Sequence, residues 1–291
     1  MIILLTGALG FIGSAYLEEM DLAGHQVIAF DLPEDDILNV TDLVLAMQKC
    51  DIVFHMAAVS DLNESMVFQD NNFEINIRGT YNVAKYCREL GKPLIFCSTC
   101  CVYGNVTEYP AEEHWTMPQC TEPYATSKVA GEYVIKGMPD LRWLIVRPGT
   151  VYGVGQREAL FTYIAVDNVL NGNKVYIDGT GHQTRQYIHI DDIVDGFKRA
   201  TEQFDGNVGE IFNFCGDEPI SVLDVIQTAE TITGLYAITE KREDRYGQTL
   251  NENISTKNAQ SQLGWKCKYK FADGMKQAFV NDKRFRKVVK L

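Results

Sequence analysis

No apolar run in the sequence approaches the ~20 residues needed to cross a bilayer. The opening MIILLTG carries no basic stretch and meets a glycine where a secretory leader would stay apolar, so no leader is expected. Basic charge is scarce: 27 Lys plus Arg stand against 39 Asp plus Glu, a formal charge of −12. A chain this acidic repels phosphate backbones and anionic headgroups at long range, so neither nucleic acid nor a membrane surface is an expected partner. An anionic substrate would need cations placed locally. Cysteine is too thinly spread for a disulfide framework: eight in 291 residues, without small-domain spacing, point to reduced thiols in a cytoplasm. Cys97 and Cys100 form a C-x-x-C, but no second C-x-x-C or H-x-x-x-H completes a zinc site. The pair also ends a predicted strand instead of opening a helix, which argues against redox chemistry, and no metal is expected. Internal repeats and low-complexity linkers are missing as well.

What remains is an ordinary globular mixture, 46% apolar and 23% charged. Strand-like runs at Ile2–Leu5, Gln26–Phe30, Asp51–His55, Leu94–Cys97 and Trp143–Val146 alternate with helical patterns. The helices are expected at Phe11–Leu22, Val40–Met47, Phe73–Leu90 and Tyr124–Lys136. Alternation of this kind, with strands apolar on both faces, predicts a doubly wound α/β fold, a parallel sheet covered by helices on each side. After Pro148 the rhythm loosens. A helix near Leu160–Leu170, a strand at Lys174–Ile177 and a polar loop at Asp178–Gln186 are expected. Strands at Tyr187–Ile190 and Ile211–Phe214 with a helix at Asp192–Thr201 between them follow. The division is therefore 1–148 plus about 187–214 as the sheet domain, and 149–186 plus about 215–291 as a smaller lobe over the sheet's carboxyl edge. Asp191 and Asp192 precede a helical run and read as N-terminal caps instead of metal ligands. The basic ending KRFRKVVKL reads as a solvated tail.

Directly after the first strand comes Gly7-Ala8-Leu9-Gly10-Phe11-Ile12-Gly13. Glycines at this spacing allow a tight turn, close approach to a pyrophosphate and close helix–strand packing, with helix N–H groups aimed at the phosphates. Asp31 ends the second strand, where a carboxylate accepts hydrogen bonds from an adenosine ribose and repels a 2′-phosphate; NAD is expected over NADP. Tyr124-Ala-Thr-Ser-Lys128 is a Y-x-x-x-K, which on a helix sets the Lys ammonium one turn from the Tyr ring. Tyr81-Asn-Val-Ala-Lys85 matches the same pattern, but mid-helix and with no hydroxyl at a preceding strand end. Tyr124 has Ser98-Thr99 to pair with, so it is taken as the proton-transfer group, and Tyr81 and Lys85 as packing and surface charge. An ammonium about 6 Å away at an effective dielectric near 20 stabilises phenolate by roughly 3 kcal/mol, about two pK units.

With TGALGFIGS, Asp31, Asp36-Ile37, His55-Met56-Ala57-Ala58, Asn76 in NIRGT, STCCVYG, YATSK, VRPGTVYG, RQYIHIDD and Leu263-Gly264-Trp265 in order, the chain resembles the extended short-chain dehydrogenases/reductases. The likeness is to their NAD-dependent sugar-nucleotide epimerase/dehydratase group. The resemblance implies that Asp36 and Ile37 lie by the adenine, and that Met56, Ala57, Ala58, Asn76 and Pro148 serve the cofactor along with the glycine loop, Tyr124 and Lys128. It implies Thr99 as partner of Tyr124 at the sugar O4, and Ser60, Cys100, Cys101, Thr150, Arg185, Arg245 and Gln248 toward a nucleotide-diphosphate sugar. The family often has Asp where Gln248 stands and Asn where Thr150 and Ala159 stand, so the sugar nucleotide itself is left open. Cys101 aligns with a catalytic cysteine of GDP-mannose 3,5-epimerases, but the companion lysine is missing and packing is favoured. The dehydratases follow the Thr with Asp-Glu and the UDP-glucuronate decarboxylases also carry a Glu there; here stand Cys100 and Cys101. A 4-epimerase is therefore the expected enzyme, with a 4-keto-sugar reductase as its enzymatic alternative and a dinucleotide-sensing regulator below both. Homodimerisation through Phe73–Leu90 and Tyr124–Lys136 is typical of the family.

One expectation is purely geometric. Only four residues separate Asp31 from Asp36, and four extended residues span at most about 14 Å. That is too short for a crossover to a further parallel strand. The second strand should therefore be a sheet edge.

Overall fold

The computed structural model describes residues 1–105, 110–114, 120, 122–245 and 249–285. Strand β1 (Ile2–Thr6) leads into α1 (Phe11–Leu22), then β2 (Gln26–Phe30), α2 (Val40–Met47) and β3 (Ile52–His55). Helices α3 (Leu62–Val67) and α4 (Gln69–Phe73), a π-helical segment at Glu74–Gly79 and α5 (Thr80–Glu89) return the chain to β4 (Leu94–Cys97). A 3₁₀ turn at Cys100–Tyr103, α6 (Pro123–Lys136) and β5 (Trp143–Pro148) complete the first half. Next come β6 (Thr150–Tyr152), α7 (Phe161–Asn171), β7 (Lys174–Asp178), β8 (Thr184–Arg185), β9 (Tyr187–His189), α8 (Ile190–Glu202) and β10 (Ile211–Phe214). The chain ends with β11 (Ile220–Ser221), α9 (Val222–Thr233), β12 (Ile238–Arg242), α10 (Lys257–Leu263) and α11 (Phe271–Asn281).

Six strands form one parallel sheet in the order β10-β5-β4-β3-β1-β2. Its middle strands are apolar on both faces, as a sheet covered on both sides demands: Ile3, Leu5, Phe54 and Ile95 pack on the α1 and α8 side. Leu4, Val53, Phe96 and Ile145 pack on the side of α2, α5 and α6. The short link does put β2 at an edge, and among the described residues no strand lies beyond it. A third apolar cluster gathers Tyr152, Val166, Tyr187, Ile226, Met275 and Phe279 from the later half of the chain.

Three expectations change. The segment expected as one helix over Phe73–Leu90 contains the π turn at Glu74–Gly79. An extra residue in the turn lets the buried Asn76 side chain leave the helix, accepting from Val59 N–H at 2.8 Å and donating to Val59 C=O and Ser127 Oγ. The stretch read as a loop at Asp178–Gln186 includes β8, which pairs with β11, and β7 pairs with β12; both partners are distant in sequence. Asp191 and Asp192 are not caps: His189 Nδ1 caps α8 at Asp191 N–H. Asp192 is buried instead, its Oδ2 accepting the N–H groups of Lys268 and Tyr269 at 3.0 Å each.

Candidate active site

The turn from β1 to α1 opens the site. Gly7 has φ +75, and a Cβ there would stand 2.7 Å from Ala57 N at the end of β3. A Cβ on Gly13 would stand 2.1 Å from Gly7 O, so only glycine lets α1 approach its strand so closely. Gly10 precedes α1 without a side-chain cap, and the first turn holds no acidic residue. The orphan N–H groups and the positive end of the helix dipole are thus left for an anion. By contrast α2, α6 and α9 are capped by Asn39, Glu122 and Ser221. Asp31 leaves β2 beside this turn, its Oδ2 accepting from Leu9 N–H at 2.8 Å and its Oδ1 from Leu32 N–H.

A cavity of about 490 Å³, ample for a ligand, runs from this turn across the carboxyl ends of the strands. One end is lined by Gly7, Gly10, Phe11, Ile12, Gly13, Asp31, Asp35, Asp36 and Ile37. Met56, Ala57, Ala58, Ser60 and Pro148 line its middle, and Thr99, Cys100, Cys101, Tyr124, Lys128 and Thr150 its far end. Most of the expected residues are therefore drawn together. Leu9 is not; its side chain is 65% exposed and its N–H serves Asp31. Asn76 lies behind the wall, holding Val59. Arg185 is also behind it, donating to the carbonyls of Thr184 and Thr249. Arg245 is exposed and outside the lining, and Gln248 falls outside the described residues. Ala159, whose position was marked as a departure from the family, is exposed.

The chemistry concentrates at the far end. Glu122 Oε2 and Oε1 accept from the N–H groups of Tyr124 and Ala125, starting α6 where Tyr124 must face the cavity. One turn on, Lys128 is 3% exposed; Nζ donates to Cys97 C=O at 2.8 Å and lies 6.0 Å from the Tyr124 ring centre. Burial pushes its pKa down to about 8. The Thr99 hydroxyl hydrogen-bonds the Tyr124 phenol and favours phenolate, but burial holds that phenol well above its ordinary value, helped by Cys101, Cys97 and Glu122. The stabilisation of phenolate expected from Lys128 is outweighed here by desolvation. His55, buried between Thr6 Oγ1 at 2.7 Å and Thr80 Oγ1 at 3.0 Å, is pushed down to about 3 by burial and by Lys128, so it is neutral.

The cysteines are free thiols, and burial raises Cys97 to about 11 and Cys101 to about 12. The second Y-x-x-x-K is elsewhere: Tyr81 is 39% exposed under Arg78, and Lys85 reaches Tyr86. Two lining residues had no signal strong enough to single them out. Arg157, in GQRE just after VYG, faces Ser60 Oγ at 3.5 Å. Glu252 arrives from the stretch between Gln248 and Leu263-Gly264-Trp265, inside neither motif.

A family model described as the NAD dependent epimerase/dehydratase family matches residues 3–215. A UDP-glucose 4-epimerase of Mycolicibacterium smegmatis is 29% identical, with 94% of this chain and 95% of that protein covered. The UDP-glucose 4-epimerase of Thermotoga maritima, solved with UDP-glucose, superposes with a TM-score of 0.91 at 26% identity over 100% of both chains. The UDP-glucuronic acid 4-epimerase of Bacillus cereus, solved with UDP-glucuronic acid and NAD, gives 0.89 at 28% identity over 96% of this chain and 98% of that one.

Proposed function

Because the chain belongs to the NAD dependent epimerase/dehydratase family, we propose that it inverts C4 of a nucleotide-diphosphate sugar through a transient 4-keto intermediate, with NAD as cofactor. The observation that carries this reading is the meeting, in one cavity, of the uncapped α1 end and Asp31 with the Thr99–Tyr124–Lys128 group. The glycine cradle, the free helix N–H groups and a strand-end carboxylate fit a dinucleotide's pyrophosphate and ribose. NAD held there by the glycine turn and Asp31 would supply the hydride acceptor and donor for C4. Tyr124 receives the O4 proton and later gives it back, Thr99 holds the same oxygen, and Lys128 supplies the positive charge that offsets the cost of the buried phenolate.

The thiols of Cys100 and Cys101 stay protonated in their buried setting, and Thr99 is followed by no carboxylate, so elimination across C5–C6 lacks its acid/base pair. Incubation with UDP-glucose and NAD, followed by mass spectrometry and NMR of the sugar, should give the C4-inverted isomer without net reduction of NAD. Steady consumption of NADH with a 4-keto substrate would instead establish the reductase.

The same reading divides the chain into a cofactor part, 1–148 with about 187–214, and a sugar-nucleotide part, 149–186 with about 215–291. It also places the protein in the cytoplasm, in keeping with the free thiols. Finally, it pairs two copies through α5 and α6, beside which Met66, Val67 and Phe68 are exposed. A mass near twice 32.8 kDa in solution is the expected readout for that pairing.

A further inference from the structure

Glu252 is a charged residue in a place that gives a charge little water. It is 5% exposed and lines the cavity at the end where Cys100, Cys101 and Tyr124 converge. Its Oε2 accepts from Gln186 N–H at 3.1 Å. Its Oε1 lies 3.5 Å from Arg185 Nε, beyond hydrogen-bond length, and among the described residues it accepts no hydrogen bond. Arg185 already gives its Nη1 protons to the carbonyls of Thr184 and Thr249. A buried carboxylate with one oxygen anchored and the other open to a ligand cavity is costly unless a ligand donates to it.

The groups facing Glu252 from each packed element make it a one-sided reader. Arg185 on β8 is its cation; Tyr187 on β9 and Cys100 and Cys101 on the 3₁₀ turn are neutral groups that its charge pushes further up. Within that set the positive charge of Arg185 is already matched. A hexose hydroxyl entering here meets an acceptor; a second carboxylate meets a like charge whose neighbouring cation, Arg185, is already paired.

Resting on the nucleotide-sugar reading above, we propose that Glu252 sets the sugar specificity of this site: it accepts a hydrogen bond from a hydroxyl of a neutral hexose and excludes uronic acids. Burial raises the Glu252 carboxyl above the usual range. The exclusion therefore weakens as pH falls, while the hexose uronate keeps its own charge.

The test is the affinity ratio for UDP-glucose and UDP-glucuronic acid, measured by calorimetry on the NAD-loaded enzyme. Wild type should bind UDP-glucose at least tenfold more tightly at pH 8. Glu252→Gln keeps an acceptor for Gln186 N–H and should shrink that ratio at least fivefold, chiefly by tighter UDP-glucuronic acid binding. Glu252→Asp should retain a preference for the neutral sugar. If the Gln variant fails to fold, the ratio should still narrow in wild type as the pH is lowered from 8 and Glu252 takes up a proton. Equal affinities in wild type, or a ratio indifferent to both the variant and the pH, overturns the proposal. Binding reads Glu252 even if neither sugar is epimerised, so failure of the C4 chemistry shows separately, as tight selective binding without product.

Discussion

At the scale of single residues, Tyr124 is the test of the chemistry. Its phenol is held well above the ordinary value by burial, so it needs nearby positive charge to act as a base. Tyr124→Phe should lower kcat by 10²-fold or more, the usual worth of a positioned acid/base, while NAD affinity stays within about threefold. Tyr81→Phe, outside the cavity, should stay within a few fold; similar losses in both variants would show the pair is misassigned. Lys128→Met removes a cation about 6 Å from the ring. The acidic limb of the kcat/KM profile should then move up by about two pH units, because phenolate forms only at higher pH. At the other end, Asp31 is joined in the lining by Asp35 and Asp36. Three carboxylates should make NAD bind at least tenfold tighter than NADP, about 1.4 kcal/mol, in parallel titrations.

Among the elements, the β1–α1 turn is the least tolerant. Gly13→Ala would drive a methyl into Gly7 C=O, so α1 must lift from its strand. The cost should be about 1–3 kcal/mol, read as a lower thermal midpoint together with weaker NAD binding. This turn was legible in the sequence because tight packing leaves a glycine signature, and the buried strands were legible because both their faces are apolar. The π turn was not: Asn76 reads as an ordinary helical residue until Val59, seventeen positions earlier, is seen to need both a donor and an acceptor. Nor were β8 and β12, whose partners β11 and β7 lie far along the chain and leave no local pattern. Arg185 was legible as a cation but not as one committed to carbonyls and to Glu252, since those partners come from residues 249–252.

Across the molecule, the floor of the site is tied by a buried ion pair between β5 and α6. Arg147 Nη2 reaches Glu132 Oε2 at 2.6 Å and its Nε reaches Oε1 at 2.8 Å, while Ser98 Oγ donates to Oε1 at 2.7 Å. The guanidinium also donates to Tyr103 Oη, which in turn donates to Asn213 on β10. Removing one partner strands the other charge, so Glu132→Ala should cost about 3–5 kcal/mol in denaturant unfolding, whereas exposed pairs such as Arg142 with Asp205 should matter little.

Read from its β2 edge, the sheet runs β2, β1, β3, β4, β5, β10, which after the first exchange is the order of synthesis. On a ribosome each emerging strand finds the growing sheet's free edge waiting for it, with no need to insert between strands already paired. The glycine turn and Asp31 are laid down within the first hundred residues, whereas the carboxylate at position 252 is translated near the end. The cleft thus has a birth order, its glycine-turn end first and Glu252 last. In nascent chains arrested at successive lengths, protease protection of β1 to β4 should precede that of β8 and β11.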